Sequence, residues 1–159
     1  MYKPASNNAN AAEKYDNSAK NTTDDQRTLE ARALLKSNRQ LKALQMVLDQ
    51  DPDTLKISDL DNVLTANRKL WTLFYDAAIE NDGGNRPNDL RSNIINLSNF
   101  IFKRTVDILA APTKEKIDIL ITINNEVAQG LIQGAAQTSL ESSDKDEKPQ
   151  ESQLSGVSA

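Results

Sequence analysis

The stretch 88–110, NDLRSNIINLSNFIFKRTVDILA, decides the fold. Successive residues of an α-helix lie about 100° apart, and at that spacing the stretch has two neighbouring apolar faces. The main face consists of Leu90, Ile94, Leu97, Phe100, Ile101 and Ile108, and the second face consists of Ile95, Phe102, Val106 and Leu109. This helix, helix 3, is therefore apolar over more than half of its circumference. Such a helix must lie inside a bundle or be covered by something else.

Glycine and proline residues separate this helix from three other helical stretches. Pro52, the pair Gly83 and Gly84, and Pro112 mark the breaks. Helix 1 is predicted to begin after Thr23, which forms a capping-box pattern with Gln26, and to end at about Gln50. Helix 2 is predicted to begin after Ser58 and to end near Asn81. Helix 4 is predicted to begin at its N-cap Thr113 and to end at about Gln133. Each stretch has an apolar face at helical spacing. The sequence therefore predicts an all-α protein, a small four-helix bundle-like domain.

Several residues within the apolar faces have a predicted structural role. Trp71 and Phe74 belong to the apolar stripe of helix 2, where they are expected in the core. Asn67 lies in the middle of that stripe and Asn124 lies inside the main face of helix 4, so both amides need hydrogen-bond partners. Arg104 falls within the apolar sector of helix 3, where its guanidinium needs a carboxylate or carbonyl groups. The two asparagines are expected to set the register of the bundle.

Both ends of the chain are more polar than its middle. Residues 1–23 are predicted to form a polar N-terminal arm, residues 24–136 the helical domain, and residues 137–159 a disordered acidic tail. No apolar segment resembles a signal peptide, and the longest apolar stretch, Ile117–Ile123, is too short to cross a bilayer. We therefore expect a cytoplasmic protein without membrane insertion.

The composition excludes most familiar catalytic sites. The 159 residues include no histidine and no cysteine, so a histidine base, a thiol nucleophile and a Cys/His metal site are all excluded. The acidic turn from Asp49 to Asp61 lacks the glycine and glutamate of a calcium-binding loop, and Gly83-Gly84 lacks the lysine of a phosphate-binding loop. We expect no enzymatic activity, no metal and no cofactor. The net charge of −4 also makes direct nucleic-acid binding unfavourable.

The apolar excess on helices 3 and 4 has two interpretations. These helices are either the inner pair of a compact bundle or the walls of a groove that captures an amphipathic helix from another protein. In the second case the predicted partner-binding residues are those of the side faces: Ile95, Phe102, Val106, Ile119 and Ile123.

Five runs of sequence carry a resemblance to a known family. They are LEARALLK at 29–36, NRKLWTLF at 67–74, LRSNI at 90–94, FKRT at 102–105 and INNEVAQGL at 123–131. With the N-terminal Met-Tyr, they resemble the FlaF family of flagellar biosynthesis regulators. The resemblance covers all four helices in order, while the polar segment before Thr23 and the acidic tail look like additions.

This resemblance implies a small cytoplasmic protein that promotes flagellin synthesis and secretion. It implies a flagellin-specific chaperone or positive regulator that opposes the FlbT regulator, and flagellin, whose termini are amphipathic helices, as the main partner. The alternatives are an adaptor that contacts FlbT or the flagellar export apparatus, and a regulator that acts through flagellin mRNA. The RNA alternative would use the basic residues Arg32, Lys36, Arg39, Arg91 and Lys103.

Overall fold

A computed structural model describes residues 7–81, 84 and 86–146 of the chain. Its elements are α1 (Asn7–Gln50), a 3-10 helix (Pro52–Thr54), α2 (Ile57–Glu80), α3 (Asn88–Ala110) and α4 (Lys114–Asp146). No β-strand occurs in this part of the chain. The prediction of an all-α protein built from four main helices is confirmed.

The four helices form a ring in which each helix packs against two others. α1 packs against α2 and α4, and α3 packs against the same two helices. Consequently α1 lies diagonally opposite α3, and α2 lies diagonally opposite α4. α1 and α4 contact each other over the longest stretch, whereas α3 and α4 share the least extensive contact between adjacent helices. The bundle is therefore least closed between α3 and α4.

The core is built from one apolar stripe of each helix. Leu34 of α1, Trp71 of α2, Ile101 of α3 and Leu120 of α4 are all essentially inaccessible to solvent. These stripes follow the periodicity expected for helices packed around a common centre. The remaining buried members of this core are Ala31, Leu41, Leu44, Leu60, Leu64, Phe74, Ile108, Ile117, Ile121 and Ala128.

Breaks in the sequence define the inner helix ends. α2 ends where Asn81 takes a left-handed conformation (φ 42°) and donates its backbone N–H to the Ala77 carbonyl at 3.1 Å. α3 follows directly after Pro87, whose fixed φ suits the start of a helix. α4 is capped as predicted, because Thr113 Oγ1 accepts a hydrogen bond from the backbone N–H of Lys116 at 3.3 Å.

The first and last helices along the chain, α1 and α4, are longer than predicted from the sequence. α1 begins at Asn7, so the predicted start after Thr23 is wrong and most of the polar arm is helical. α4 continues past Gln133 to Asp146, into the segment predicted to be a tail. Neither extension contains glycine or proline beyond Gly134, and polar residues without a helix breaker are compatible with a helix. Residues 1–6 and 147–159, the rest of the predicted arm and tail, lie outside the described residues.

Candidate functional site

A cluster of polar side chains is buried at the centre of the bundle. This polar cluster consists of Ser37, Asn38, Asn67, Trp71 and Asn124, and it joins α1, α2 and α4. Asn67 Oδ1 accepts hydrogen bonds from Ser37 Oγ and from Asn124 Nδ2, each at 2.8 Å. Asn124 Nδ2 also donates to Asn38 Oδ1 at 3.0 Å. Two asparagines with a predicted structural role, Asn67 and Asn124, are thus hydrogen-bonded across the diagonal of the ring.

The same cluster fixes the orientation of the Trp71 indole. Trp71 Nε1 donates to Asn124 Oδ1 at 2.8 Å, and the Phe74 ring packs edge-on against the indole with centroids 5.5 Å apart. Buried indole N–H groups need such an acceptor. Among the described residues Asn67 Nδ2 has no partner, although Asn67 is fully buried. The cluster is therefore nearly but not completely satisfied.

Arg104 lies at the edge of the bundle, and its side chain is 25% exposed. Its Nη1 is 3.8 Å from Asp107 Oδ2, and its Cζ lies 5.2 Å from the centroid of the Phe100 ring. Its Nε is buried without a hydrogen-bond partner in the described part of the chain. Arg104 thus finds a carboxylate on its own helix, and it stacks on an aromatic ring.

A pocket of about 380 Å³ opens between α3 and α4, at the end of the bundle remote from the α3–α4 connection. Trp71 and Phe74 of α2 line it from the inside, and apolar side chains of α3 and α4 line its two sides. The residues that complete these sides are Leu90, Asn93, Ile94, Leu97, Val127, Gly130, Leu131 and Gly134. We call this feature the α3–α4 pocket.

Gly130 lies on the α4 side of the α3–α4 pocket. A Cβ atom built on Gly130 would meet no other atom within 4 Å, so no close approach requires glycine here. At Gly134, by contrast, a Cβ would lie 3.4 Å from Nη1 of Arg27. A glycine inside a helix lowers helix stability by about 1 kcal/mol relative to alanine. The missing side chain at Gly130 therefore leaves pocket space open at a cost in helix stability.

Three charged residues surround the apolar part of the α3–α4 pocket. They are Arg27 and Glu30 of α1 and Arg86, which lies between α2 and α3. Arg86 Nη2 is 3.9 Å from Glu30 Oε1, and the two side chains are 33% and 15% exposed. Arg27 Nη1 donates to Thr138 Oγ1 at 3.4 Å and is 4.0 Å from Asp24 Oδ1. We call these three residues the charged rim.

The structure divides the five predicted partner-binding residues between two sides of α3. Phe102 contacts Tyr75 of α2, with ring centroids 6.0 Å apart, whereas Ile119 and Ile123 belong to α4. Val106 is 66% exposed and Ile119 is 37% exposed. Ile95, Phe102 and Ile123 are half-buried. None of the five lines the α3–α4 pocket, and their role in binding stays a prediction.

The α3 residues of the α3–α4 pocket were not among the predicted partner-binding residues. Leu90, Ile94 and Leu97 lie on the main face of helix 3, and periodicity alone cannot tell a filled interior from an open one. One signal was available, since Gly130 and Gly134 are one turn apart in an otherwise regular helical pattern. Glycine within a helical pattern often has a packing or functional reason.

The described residues contain no group of three or more His, Cys, Asp or Glu side chains that could hold a metal ion. In the same part of the chain, no helix combines the length and the apolar character required to span a bilayer.

Comparison with known protein families gives a match over most of the chain. The model of a family described as "Flagellar protein FlaF" matches residues 11–131, which is more than half of the chain. No curated protein and no solved structure matches the chain.

Proposed function

The chain belongs to the FlaF family of flagellar proteins, and we propose that it promotes flagellin synthesis and secretion by binding flagellin. In this proposal the protein is a cytoplasmic chaperone, and its ligand is an amphipathic helical segment of flagellin. It acts by binding, without an enzymatic step and without a cofactor.

The observation that carries this proposal is the α3–α4 pocket. Its volume of about 380 Å³ falls within the range of about 300–1,000 Å³ that is typical of ligand sites. Its α4 side extends from Val127 to Gly134, which corresponds to two helical turns or about 10 Å. A helix docked in a groove inserts apolar side chains three or four residues apart, and two such side chains suit this length. Binding would shield apolar flagellin side chains that otherwise favour self-association.

The substitution Gly130→Phe tests the proposal directly. A side chain at this position has room to enter the α3–α4 pocket, because a Cβ there meets no atom within 4 Å. We expect co-purification of flagellin to fall at least about tenfold, since loss of one buried anchor typically costs 2 kcal/mol or more. Far-UV circular dichroism should show unchanged helix content.

Gly130→Ala is the matched control. It improves helix propensity but adds only one methyl group, so most of the pocket stays open. We expect it to raise the free energy of unfolding by about 1 kcal/mol and to retain flagellin binding. Undiminished flagellin binding by the Gly130→Phe variant would contradict the use of this pocket.

The predicted partner-binding residues, on the two sides of α3, are other candidate contacts for the same ligand. Val106→Asp and Ile119→Asp change the two most exposed of them, on α3 and α4 respectively. If flagellin binds at Val106 or at Ile119, the corresponding variant weakens co-purification and Gly130→Phe does not. If flagellin binds in the α3–α4 pocket, the pattern is reversed.

The RNA and adaptor alternatives are tested with other ligands. Arg91, which the RNA alternative needs, donates from Nε to the Ala78 carbonyl at 2.7 Å and from Nη2 to the Ile79 carbonyl at 3.1 Å. Its guanidinium is therefore engaged within the protein. A salt-dependent mobility shift of flagellin mRNA by the purified protein would favour the RNA alternative. Retention of FlbT or an export component without flagellin would favour the adaptor.

A further inference from the structure

The net charge of the charged rim is opposite in sign to the net charge of the whole chain. The protein has a net charge of −4, yet the rim combines two arginines, Arg27 and Arg86, with one carboxylate, Glu30. Positive charge next to an apolar pocket favours a ligand that carries negative charge beside its apolar part.

The contact between Arg86 and Glu30 leaves hydrogen-bonding capacity unused. The distance of 3.9 Å from Arg86 Nη2 to Glu30 Oε1 exceeds the 2.7–2.9 Å typical of a hydrogen-bonded ion pair. Glu30 Oε1 also accepts a hydrogen bond from Gln26 Nε2 at 3.1 Å on its own helix. An incoming carboxylate at Arg86 could form two parallel hydrogen bonds that Glu30 does not form at this distance.

We propose that the α3–α4 pocket selects a helix with a carboxylate side chain about one turn from its apolar anchor, and that Arg86 binds this carboxylate in place of Glu30. This inference rests on the proposed function and specifies the chemistry of the ligand. Arg27, on the same rim, favours the same charge. A lysine at that position of the ligand would instead face two arginines; of the described carboxylates, Glu30 on the rim and Asp24, 4.0 Å from Arg27, would attract it.

The geometry makes Glu30 a competitor of the ligand. Its side chain is only 15% exposed and lies beside the apolar wall, where water screens the attraction to Arg86 incompletely. Neutralising Glu30 therefore removes a competing carboxylate and raises the net positive charge of the rim. If Glu30 contributed to binding a basic ligand, the same change would weaken binding. The sign of the effect distinguishes the two cases.

The single tryptophan provides the measurement, because Trp71 lines the α3–α4 pocket. Trp71 fluorescence is titrated with capped, alanine-based helical peptides of about 20 residues, long enough to be helical in part. Each peptide carries two leucines four residues apart and, four residues from one of them, either Glu, Gln or Lys. For the full-length protein we expect the Glu peptide to bind about fivefold more tightly than the Gln peptide, and the Lys peptide most weakly.

Three variants of the full chain complete the experiment. Glu30→Gln should tighten binding of the Glu peptide by about threefold, and Arg86→Glu should weaken it by about tenfold and reverse the preference towards Lys. Arg39→Glu is the charge-matched control, because Arg39 is exposed on α1 and does not line the pocket. It should leave the order of the three peptides unchanged. Gly130→Phe should abolish the response to every peptide.

Several outcomes would overturn the inference. They are equal affinity for the three peptides, preference for Lys, weaker binding after Glu30→Gln, and no response to any peptide. Trp71 emission that changes with protein concentration alone would indicate a second copy of the chain as the occupant and would also overturn it. Flagellin binding that is lost in Gly130→Phe but insensitive to Arg86→Glu and Glu30→Gln would overturn the inference and leave the proposed function intact. Selective binding of the Glu peptide without flagellin binding would support the inferred ligand chemistry and overturn the proposed function.

Discussion

Asn124 is the residue on which most of the polar cluster depends. Its Oδ1 accepts the indole N–H of Trp71, and its Nδ2 donates to both Asn38 and Asn67. Each of these three partners is almost completely buried. A buried polar group that loses its hydrogen-bond partner incurs a desolvation cost. A polar group at the protein surface does not, because it can hydrogen-bond to water instead. Loss of the Asn124 side chain would therefore remove hydrogen bonds that join α4 to both α1 and α2.

Asn124→Leu tests this dependence with a side chain of similar size. It leaves the Trp71 indole N–H without an acceptor and removes a donor from Asn38 and Asn67. We expect the free energy of unfolding to fall by about 2 to 4 kcal/mol, because an unsatisfied buried group costs about 1–3 kcal/mol. Urea denaturation followed by Trp71 fluorescence measures the change. Gln129→Leu, at an exposed position of α4, should change stability by less than about 0.5 kcal/mol; an equal loss in both variants would contradict the argument.

The sequence predicted part of the polar cluster. Asn67 and Asn124 stand out because each interrupts an apolar stripe, and a buried amide needs partners. Ser37 and Asn38 lie between Leu34 and Leu41 on the stripe of helix 1 and interrupt it in the same way, so their burial was predictable on the same ground. Which polar residues meet depends on the axial positions of three helices, and helical periodicity does not contain that information.

At the scale of the helices, basic side chains cap the ends of preceding helices. Arg91 of α3 donates to the Ala78 and Ile79 carbonyls in the last turn of α2. Lys116 of α4 does the same for α3, since its Nζ donates to the Asp107 carbonyl at 3.3 Å and the Ala111 carbonyl at 2.9 Å. The last carbonyls of a helix lack partners within the helix and carry partial negative charge. The α2–α3 and α3–α4 connections are thus each stabilised by the helix that follows.

Arg91→Met removes the cap from α2 and retains an unbranched apolar side chain. We expect a loss of about 1 to 2 kcal/mol in the free energy of unfolding, because two charge-assisted hydrogen bonds to carbonyls are lost at a partly exposed site. Hydrogen exchange of the amides near Asn81 should accelerate locally. Arg68→Met, exposed on α2, serves as the control. Equal stability of the two variants would show that the cap contributes nothing measurable.

Helix ends were predictable from sequence where a breaker fixes them. The α2 and α3 ends agree with the sequence analysis to within a few residues, because Asn81, Pro87 and Pro112 interrupt the helical pattern. The start of α1 was not predictable in this way, because the capping-box pattern of Thr23 and Gln26 lies inside a longer helix. Serine and threonine also occur within helices, so such a pattern identifies an end only when the preceding residues cannot be helical.

For the whole molecule, the unequal lengths of the helices locate the pocket. The connection between α2 and α3 lies at the level of Glu30 in α1, where Arg86 contacts it. α1 extends from this level back to Asn7, and α4 extends from Gly134 on to Asp146. The α3–α4 pocket forms where the shorter α2–α3 pair ends against the longer α1–α4 pair. The amphipathic pattern predicted four helices and a core, but this offset depends on how the helices pack and is not visible in any one of them.

The first turns of α1 extend beyond this core and should be dispensable for folding. Tyr15 is 83% exposed, and residues 11–14 are exposed as well. A variant that lacks residues 1–22 keeps every described member of the buried core, the first of which along the chain is Ala31, so we expect the free energy of unfolding to fall by less than about 1 kcal/mol. A variant that begins at Leu35 also lacks Ala31 and Leu34, both 0% exposed, and should lose several times more, about 3 kcal/mol or greater. Urea denaturation followed by Trp71 fluorescence compares the two. A loss of several kcal/mol in the shorter deletion would mean that the extended part of α1 contributes to the bundle, and that the boundary of the cooperative unit lies nearer to Asn7 than to Glu30.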